Sequence, residues 1–103
     1  MLRAVLDFVA EHLDTPLSLE RLAAVARMDL YRFARAFKSS TGCSPHRYVL
    51  EARIARAKEL LRDRALPITE VAMRTGFATP SHFSVTFRRI TSQTPRAFRG
   101  GPP

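Results

Sequence analysis

Leu2, Leu6, Val9 and Leu13 recur at steps of four, three and four, and Val5 widens the apolar stripe. Residues 2–13 are therefore predicted to form an amphipathic helix, ended by Asp14-Thr15-Pro16. Ser18 is an N-cap type, and Leu19, Leu22, Val25 and Ala26 after it mark a second, shorter helix that ends near Met28. Asp29 opens a third, in which Phe33 and Phe37 face inward, Tyr31, Arg32, Arg35 and Ser39 face outward, and Gly42 closes the helix. Ser44 then caps a helix with Pro45 at its first position, and Leu50, Ile54, Ala57 and Leu61 draw one stripe along it to Arg62. Leu66-Pro67 breaks the pattern. The remainder reads as a short helix from Ile68 to Thr75, a turn at Gly76, a helix from Ser81 to Thr91 and a last turn beginning at Pro95. Seven helices and no strand are expected.

The second half of this pattern repeats the first. Leu17, Leu19, Leu22, Ala23 and Met28 match Leu66, Ile68, Val71, Ala72 and Phe77 at an offset of 49. After one inserted residue the offset becomes 50, and Phe33, Phe37, Lys38, Thr41, Pro45 and Tyr48 match Phe83, Phe87, Arg88, Thr91, Pro95 and Phe98. The matched positions include both the buried face and the residues that punctuate it, which two unrelated amphipathic helices would not share.

Charge gives the repeat a direction. The chain has 103 residues, with 17 Lys and Arg against 9 Asp and Glu, a formal net charge of +8. Between Leu30 and Leu50 stand Arg32, Arg35, Lys38 and Arg47 and no acid; from Val71 onward stand Arg74, Arg88, Arg89, Arg96 and Arg99, again without an acid. The two acid-free windows coincide with the two copies, the distribution expected of a polyanion-binding surface rather than of a generally solvated one. Each copy is a short helix, a tight turn and a second helix with a polar or basic outer face: the outline of a helix-turn-helix, whose second helix enters a major groove. Ala23 and Ala72 are small where the paired helices cross, and Gly76 suits a left-handed turn. Arg27, at the matching place in the first copy, is expected to require a slightly different turn. Successive major grooves on one face of B-DNA lie about 34 Å apart, and a helix over residues 45–62 would extend roughly 27 Å. A single polypeptide with two such units therefore reaches two grooves, as a dimer does with two chains. The expectation is one DNA-binding domain over 1–103, with a first helix-turn-helix unit over 1–44, a linker helix over 45–62 and a second unit over 66–103.

The sequence also resembles the AraC/XylS transcriptional regulators over nearly its whole length. Matching blocks are LSLERLA, FARAFK, the TG-x-SP-x-x-Y turn from Thr41 to Tyr48, the R-x-x-x-A-x-x-LL run from Arg53 to Leu61, I-x-E-VA-x-x-x-GF, S-x-F-S-x-x-F-R-R and TPRAFR. The resemblance implies an all-α, homeodomain-like seven-helix bundle that binds double-stranded promoter DNA and activates or represses transcription. It further implies a place in the cytoplasm at the nucleoid and RNA polymerase as a protein partner. In most members an N-terminal effector-binding and dimerisation domain precedes this one, and a few consist of little else. By position, Tyr31, Ala34 and Arg35 are carried toward bases in the first unit, and Ser81, His82 and Val85 in the second. Arg32, Lys38, Thr79, Arg88, Arg89 and Arg96 fall where phosphate oxygens are held. Two positions depart from the family pattern: Val85 stands for a common arginine, and Ser92 for the glycine that usually ends the second recognition helix.

Other chemistries find little purchase. No nucleophile turn, Gly-rich phosphate loop or converging carboxylate pair is present, so no enzyme and no cofactor are expected. The lone Cys43 forms no intramolecular disulfide, His12, His46 and His82 lack ligand spacing for a metal, and no apolar run suggests a membrane span. The competing reading is a basic helical module that meets an acidic protein partner through the same two faces, without sequence-specific DNA binding.

Overall fold

The structure, a computed structural model, describes residues 2–100. Among the described residues the chain is all-helical, with α1 (Leu2–Glu11), α2 (Leu19–Ala26), α3 (Leu30–Thr41), α4 (Pro45–Leu60), α5 (Ile68–Arg74), α6 (Pro80–Thr91) and α7 (Pro95–Phe98). The chain divides within α4 into two compact units, residues 1–52 and 53–103.

Four of these helices start by the same device: Ser18, Asp29, Thr79 and Thr94 hold extended backbone conformations while their side-chain oxygens accept from the amides of Arg21, Arg32, His82 and Ala97. Each bond satisfies one of the donors that a helix N-terminus leaves unpaired. Predicted boundaries shift at several ends: α2 stops at Ala26 rather than near Met28, and α5 at Arg74 rather than Thr75. α1 stops at Glu11 rather than Leu13, because Thr15 Oγ1 and the Thr15 amide both take the His12 carbonyl and turn the chain. α4 stops at Leu60 rather than Arg62, where the Arg62 amide reaches the Glu59 carbonyl in a tightened last turn. α6 gains Pro80 at its first position, where a missing N–H costs nothing.

In the first unit α2 packs on both α1 and α3. Val5, Val9, Leu22, Ala23, Ala26, Phe33, Phe37 and Val49 form the core, with Leu2, Leu6, Leu13 and Tyr48 around it. In the second, α6 packs on α5 and α7, and Ile54, Ala57, Leu61, Val71, Ala72, Phe77, Phe83 and Phe87 are buried. The stripe expected on α4 is buried as drawn, at Leu50, Ile54, Ala57 and Leu61. Val49 adds a second buried direction, because the helix contributes to the first core before it reaches the second unit.

The repeat extends to ring geometry. Phe33 and Phe37 lie 5.7 Å apart at 54°, and Tyr48 stands edge-on to Phe37 at 5.4 Å. Phe83 and Phe87 lie 5.6 Å apart at 59°, with Phe98 edge-on to Phe87 at 5.4 Å. Thr41 Oγ1 sits 2.8 Å from the Phe37 carbonyl and 3.0 Å from that of Cys43; Thr91 Oγ1 repeats both distances at Phe87 and Gln93.

The turns correct one expectation. Arg27 does not need a different turn: it adopts the left-handed conformation itself, at φ 58, where Gly76 has φ 89. The bonding is the same in both, Arg27 to Ala24 and Met28 to Ala23 in the first unit, Gly76 to Met73 and Phe77 to Ala72 in the second. Ser92 likewise holds φ 66 where Gly42 holds φ 86, and each donates its amide to the carbonyl four residues back at 2.8 Å. Packing on either side enforces these conformations, and the non-glycine residues bear a cost on the order of 1 kcal/mol each.

Thr86 lies fully buried in α6, and its hydroxyl has no hydrogen-bond partner among the described residues. Replacing it with the near-isosteric valine removes an unsatisfied polar atom, so Thr86→Val is expected to raise stability by about 1 kcal/mol or more. Ser92→Gly is expected to add up to about 1 kcal/mol by relieving the left-handed serine. Urea denaturation of both variants checks these values; a midpoint that falls in either contradicts the corresponding account.

Candidate nucleic-acid interface

Burying Phe33 and Phe37 inward leaves Tyr31, Arg32, Arg35, Lys38 and Ser39 exposed on the opposite side of α3. Tyr31, at 70 % exposure, is among the most exposed large apolar side chains. Its ring is not idle: the Arg35 guanidinium carbon lies 5.4 Å from the ring centroid, and Arg35 Nη1 donates to the Tyr31 hydroxyl at 3.4 Å. One turn of helix thus holds the arginine fork against the tyrosine. Tyr31, Ala34, Arg35 and Lys38 line a shallow depression of about 430 Å³, completed by Ser39, Ser44 and Pro45. The last three were placed by sequence reasoning on the outer face of α3 and at the start of α4, but not among the DNA contacts. The signal for them was present in the turn block itself, since Ser44 caps α4 through the Arg47 amide and so must lie against the end of α3.

Arg32 is not part of that depression. It lines a separate one of about 390 Å³ with Arg27, Met28 and Asp29, at the turn between α2 and α3. Arg27 is a further cation that the sequence reading treated only as a turn residue.

In the second unit, Ser81, His82 and Val85 are exposed on α6, with Val85 at 57 %. The offset of 50 pairs Ser81 with Tyr31, His82 with Arg32 and Val85 with Arg35, so the counterpart of Ala34 is the half-buried Ser84, a position sequence reasoning passed over. The His82 ring stands edge-on to Phe77 at 5.2 Å. Thr79 caps the helix by accepting from the His82 amide at 3.0 Å, which leaves its own hydroxyl hydrogen free to donate. Asp29, its counterpart, is a carboxylate and can only accept. Arg88 and Arg89 are in the last turn of α6 and Arg96 is on α7, all three exposed.

Three cations on α4 and α5 are matched by acids, whereas α3, α6 and α7 contain no acid to match theirs. Arg47 pairs with Glu51, Arg56 with Glu59 and Arg74 with Glu70, each within one helical turn. Among the described residues, Arg32, Lys38, Arg88, Arg89 and Arg96 form no ion pair. Arg53 differs again: burial lowers the pKa of its guanidinium, which lies 6.0 Å from the Phe77 ring. A guanidinium stays protonated under any ordinary condition, so the half-buried Arg53 keeps its charge despite this environment.

Among the described residues no three His, Cys, Asp or Glu side chains gather as metal ligands. His12 is used structurally, stacked on Phe8 at 4.0 Å with Nδ1 2.8 Å from the Phe8 carbonyl. Cys43 is half-buried in the turn after α3. No described helix is long and apolar enough to cross a membrane.

A family profile described as a helix-turn-helix domain matches residues 22–101. The probable transcriptional regulator LumQ of Photobacterium leiognathi is 36% identical over 93 residues, covering 90% of this chain and 38% of that protein. The HTH-type transcriptional activator RhaS of Enterobacter sp. (strain 638) is 35% identical over 100 residues, covering 97% of this chain and 36% of its own length. The chain therefore spans little more than a third of these relatives. Among solved structures, the DNA-binding domain of AdpA in complex with a target DNA superposes with a TM-score of 0.91 at 35% identity, over 96% of this chain and 89% of that one. An AraC-type regulator from Chromobacterium violaceum gives 0.88 at 30% identity, over 96% and 88%. Extent of match, helix order and the doubled helix-turn-helix agree: the chain belongs to the AraC/XylS family of transcriptional regulators, a family of DNA-binding proteins and not of enzymes, and carries its DNA-binding domain.

Proposed function

We propose that this chain binds double-stranded promoter DNA as a monomer, placing α3 and α6 in successive major grooves, with residues 1–44, 45–62 and 66–103 acting as reader, spacer and reader of one DNA-binding domain. The observation that carries the proposal is the set of exposed cations on α3, α6 and α7, namely Arg32, Arg35, Lys38, Arg88, Arg89 and Arg96, on helices that contain no acid at all. A surface that leaves its positive charge unmatched recruits a polyanion and releases counterions when it binds. α4, at 16 residues, extends about 24 Å; with the turns at its ends, it suits a groove repeat of about 34 Å.

In this reading Arg32, Lys38, Thr79, Arg88, Arg89 and Arg96 hold phosphates, and Tyr31, Ala34, Arg35, Ser81, His82 and Val85 face bases. Specificity is unequal. Arg35, steadied by Tyr31, offers a two-pronged donor to guanine O6 and N7, worth about 1–3 kcal/mol of discrimination, whereas Val85 offers only methyl groups to a thymine methyl. The second half-site is read mainly through phosphates and DNA shape. The activator name of RhaS supports promoter activation with RNA polymerase as partner. The greater length of the relatives supports an effector-binding and dimerisation domain N-terminal to this one in the whole protein. Its place of action is the cytoplasm, at the nucleoid.

Sedimentation of the 103-residue chain with a selected duplex is expected to give one chain per asymmetric site of about two helical turns. Two chains on a palindromic minimal site would contradict the spacer role of α4. A shift seen equally with any acidic polymer and no duplex preferred would favour the protein-interaction alternative. In selection from random duplexes, Arg35→Ala is expected to flatten one or two positions of its own half-site, while Val85→Ala loses a modest preference at a single thymine. A sharper second half-site, with Val85→Ala the more damaging change, would reverse the assignment of the reading helix.

A further inference from the structure

The two units part company after their last matched residue. In the first, the segment equivalent to α7 is the opening of α4, Pro45 to Tyr48, which continues as a helix of 16 residues. In the second, α7 is four residues long, far below the length at which a helix sustains itself. Thr94 caps its start, Phe98 packs edge-on to Phe87, and Lys58 Nζ stands 5.8 Å from the Phe98 ring. These contacts hold the helix as far as Phe98, its last residue. That end carries Arg99, at the position held by the buried Val49 in the first unit.

The Arg99 side chain turns back across the unit. Nε donates to the Leu61 carbonyl at 3.0 Å, and Nη2 donates to the carbonyls of Asp63 at 3.2 Å and Leu66 at 2.7 Å. These acceptors line the segment between α4 and α5, 33 to 38 residues away in sequence. Arg64 Nη1 completes the tie by donating to the Arg99 carbonyl at 3.3 Å. A planar fork suits this arrangement, because one guanidinium reaches several fixed acceptors without further ordering.

We propose that Arg99 is a positioning residue for DNA binding: its three-carbonyl clamp replaces the missing continuation of α7 and so holds Arg96, three residues earlier, at the phosphate it contacts. The proposal rests on the reading of Arg96 as a phosphate contact. Arg99 itself commits three of its five N–H donors to carbonyls of the fold, and in this proposal acts through Arg96 rather than on DNA.

The test compares wild type, Arg96→Ala, Arg99→Ala, Arg99→Lys and the Arg96→Ala/Arg99→Ala double variant. Affinity is measured against salt on a selected and a scrambled duplex, and amide hydrogen exchange is followed at Phe98 and Gly100, with the amides of α5 and α6 as internal reference. Loss of one phosphate contact lowers the salt slope by about 0.9, hence affinity by roughly eight-fold at 0.1 M salt. Arg99→Ala is expected to approach that loss on both duplexes, to quicken exchange at Phe98 and Gly100 alone, and to add nothing to Arg96→Ala. Arg99→Lys keeps the charge but places its donors on a single nitrogen rather than on the fork that spans these carbonyls, so it falls between wild type and Arg99→Ala. It carries the comparison should the alanine variant fail to fold. A full further loss in the double variant would overturn the proposal, since Arg99 would then act independently of Arg96. Unchanged exchange in α7 would overturn the clamp, whereas unchanged binding by Arg96→Ala would overturn the phosphate reading, so the two failures are distinguishable.

Discussion

Two phenylalanines one helical turn apart decide which way each recognition helix faces. Phe33 with Phe37, and Phe83 with Phe87, are buried to within a percent of completely, and truncating any of them to alanine would cost about 3–5 kcal/mol. No rotation of α3 or α6 about its axis keeps both rings inside except the one observed. The outer residues are therefore exposed as a geometric remainder, whatever their identity. That remainder is where the units differ, and it can differ freely because the core takes no part in choosing it.

The first unit presents an arginine stacked on a tyrosine, behind a carboxylate cap at Asp29. The second presents valine and histidine, behind a neutral hydroxyl cap at Thr79. A carboxylate at a helix start offsets the partial positive charge there and repels phosphate, whereas threonine leaves that charge in place and adds a donor. The first unit thus presents side-chain donors beside a neutralised helix start, and the second an unneutralised helix start beside exposed arginines.

Helix order, caps at Ser18 and Asp29, and the aromatic core were legible because each rests on local spacing: inward rings at i and i+4, a short polar residue before an apolar run. The outer positions of α3 and α6 followed from the same periodicity. What escaped was set by tertiary contact. Arg27 reads as a poor residue for a left-handed turn, and only the packing of α2 on α3 shows that it is forced into one. Val49 reads as redundant on α4 until that helix is seen to contribute to the first core. Arg99 reads as one more surface cation, since nothing in its neighbourhood along the chain announces acceptors more than thirty residues away. The alignment of Ala34 with Ser84 was available from the offset alone and was obscured by matching exposed residues rather than register.

The division of the chain inside α4 has a consequence for biosynthesis. The first unit draws all of its core residues from the first 52 positions, and small helical units of local topology fold within microseconds to milliseconds. Translation at about 5–20 residues per second leaves roughly 3–10 s between emergence of that unit and emergence of the second. The nascent chain therefore carries a folded first unit, with Arg35 already set against Tyr31 on its surface, well before the second unit exists.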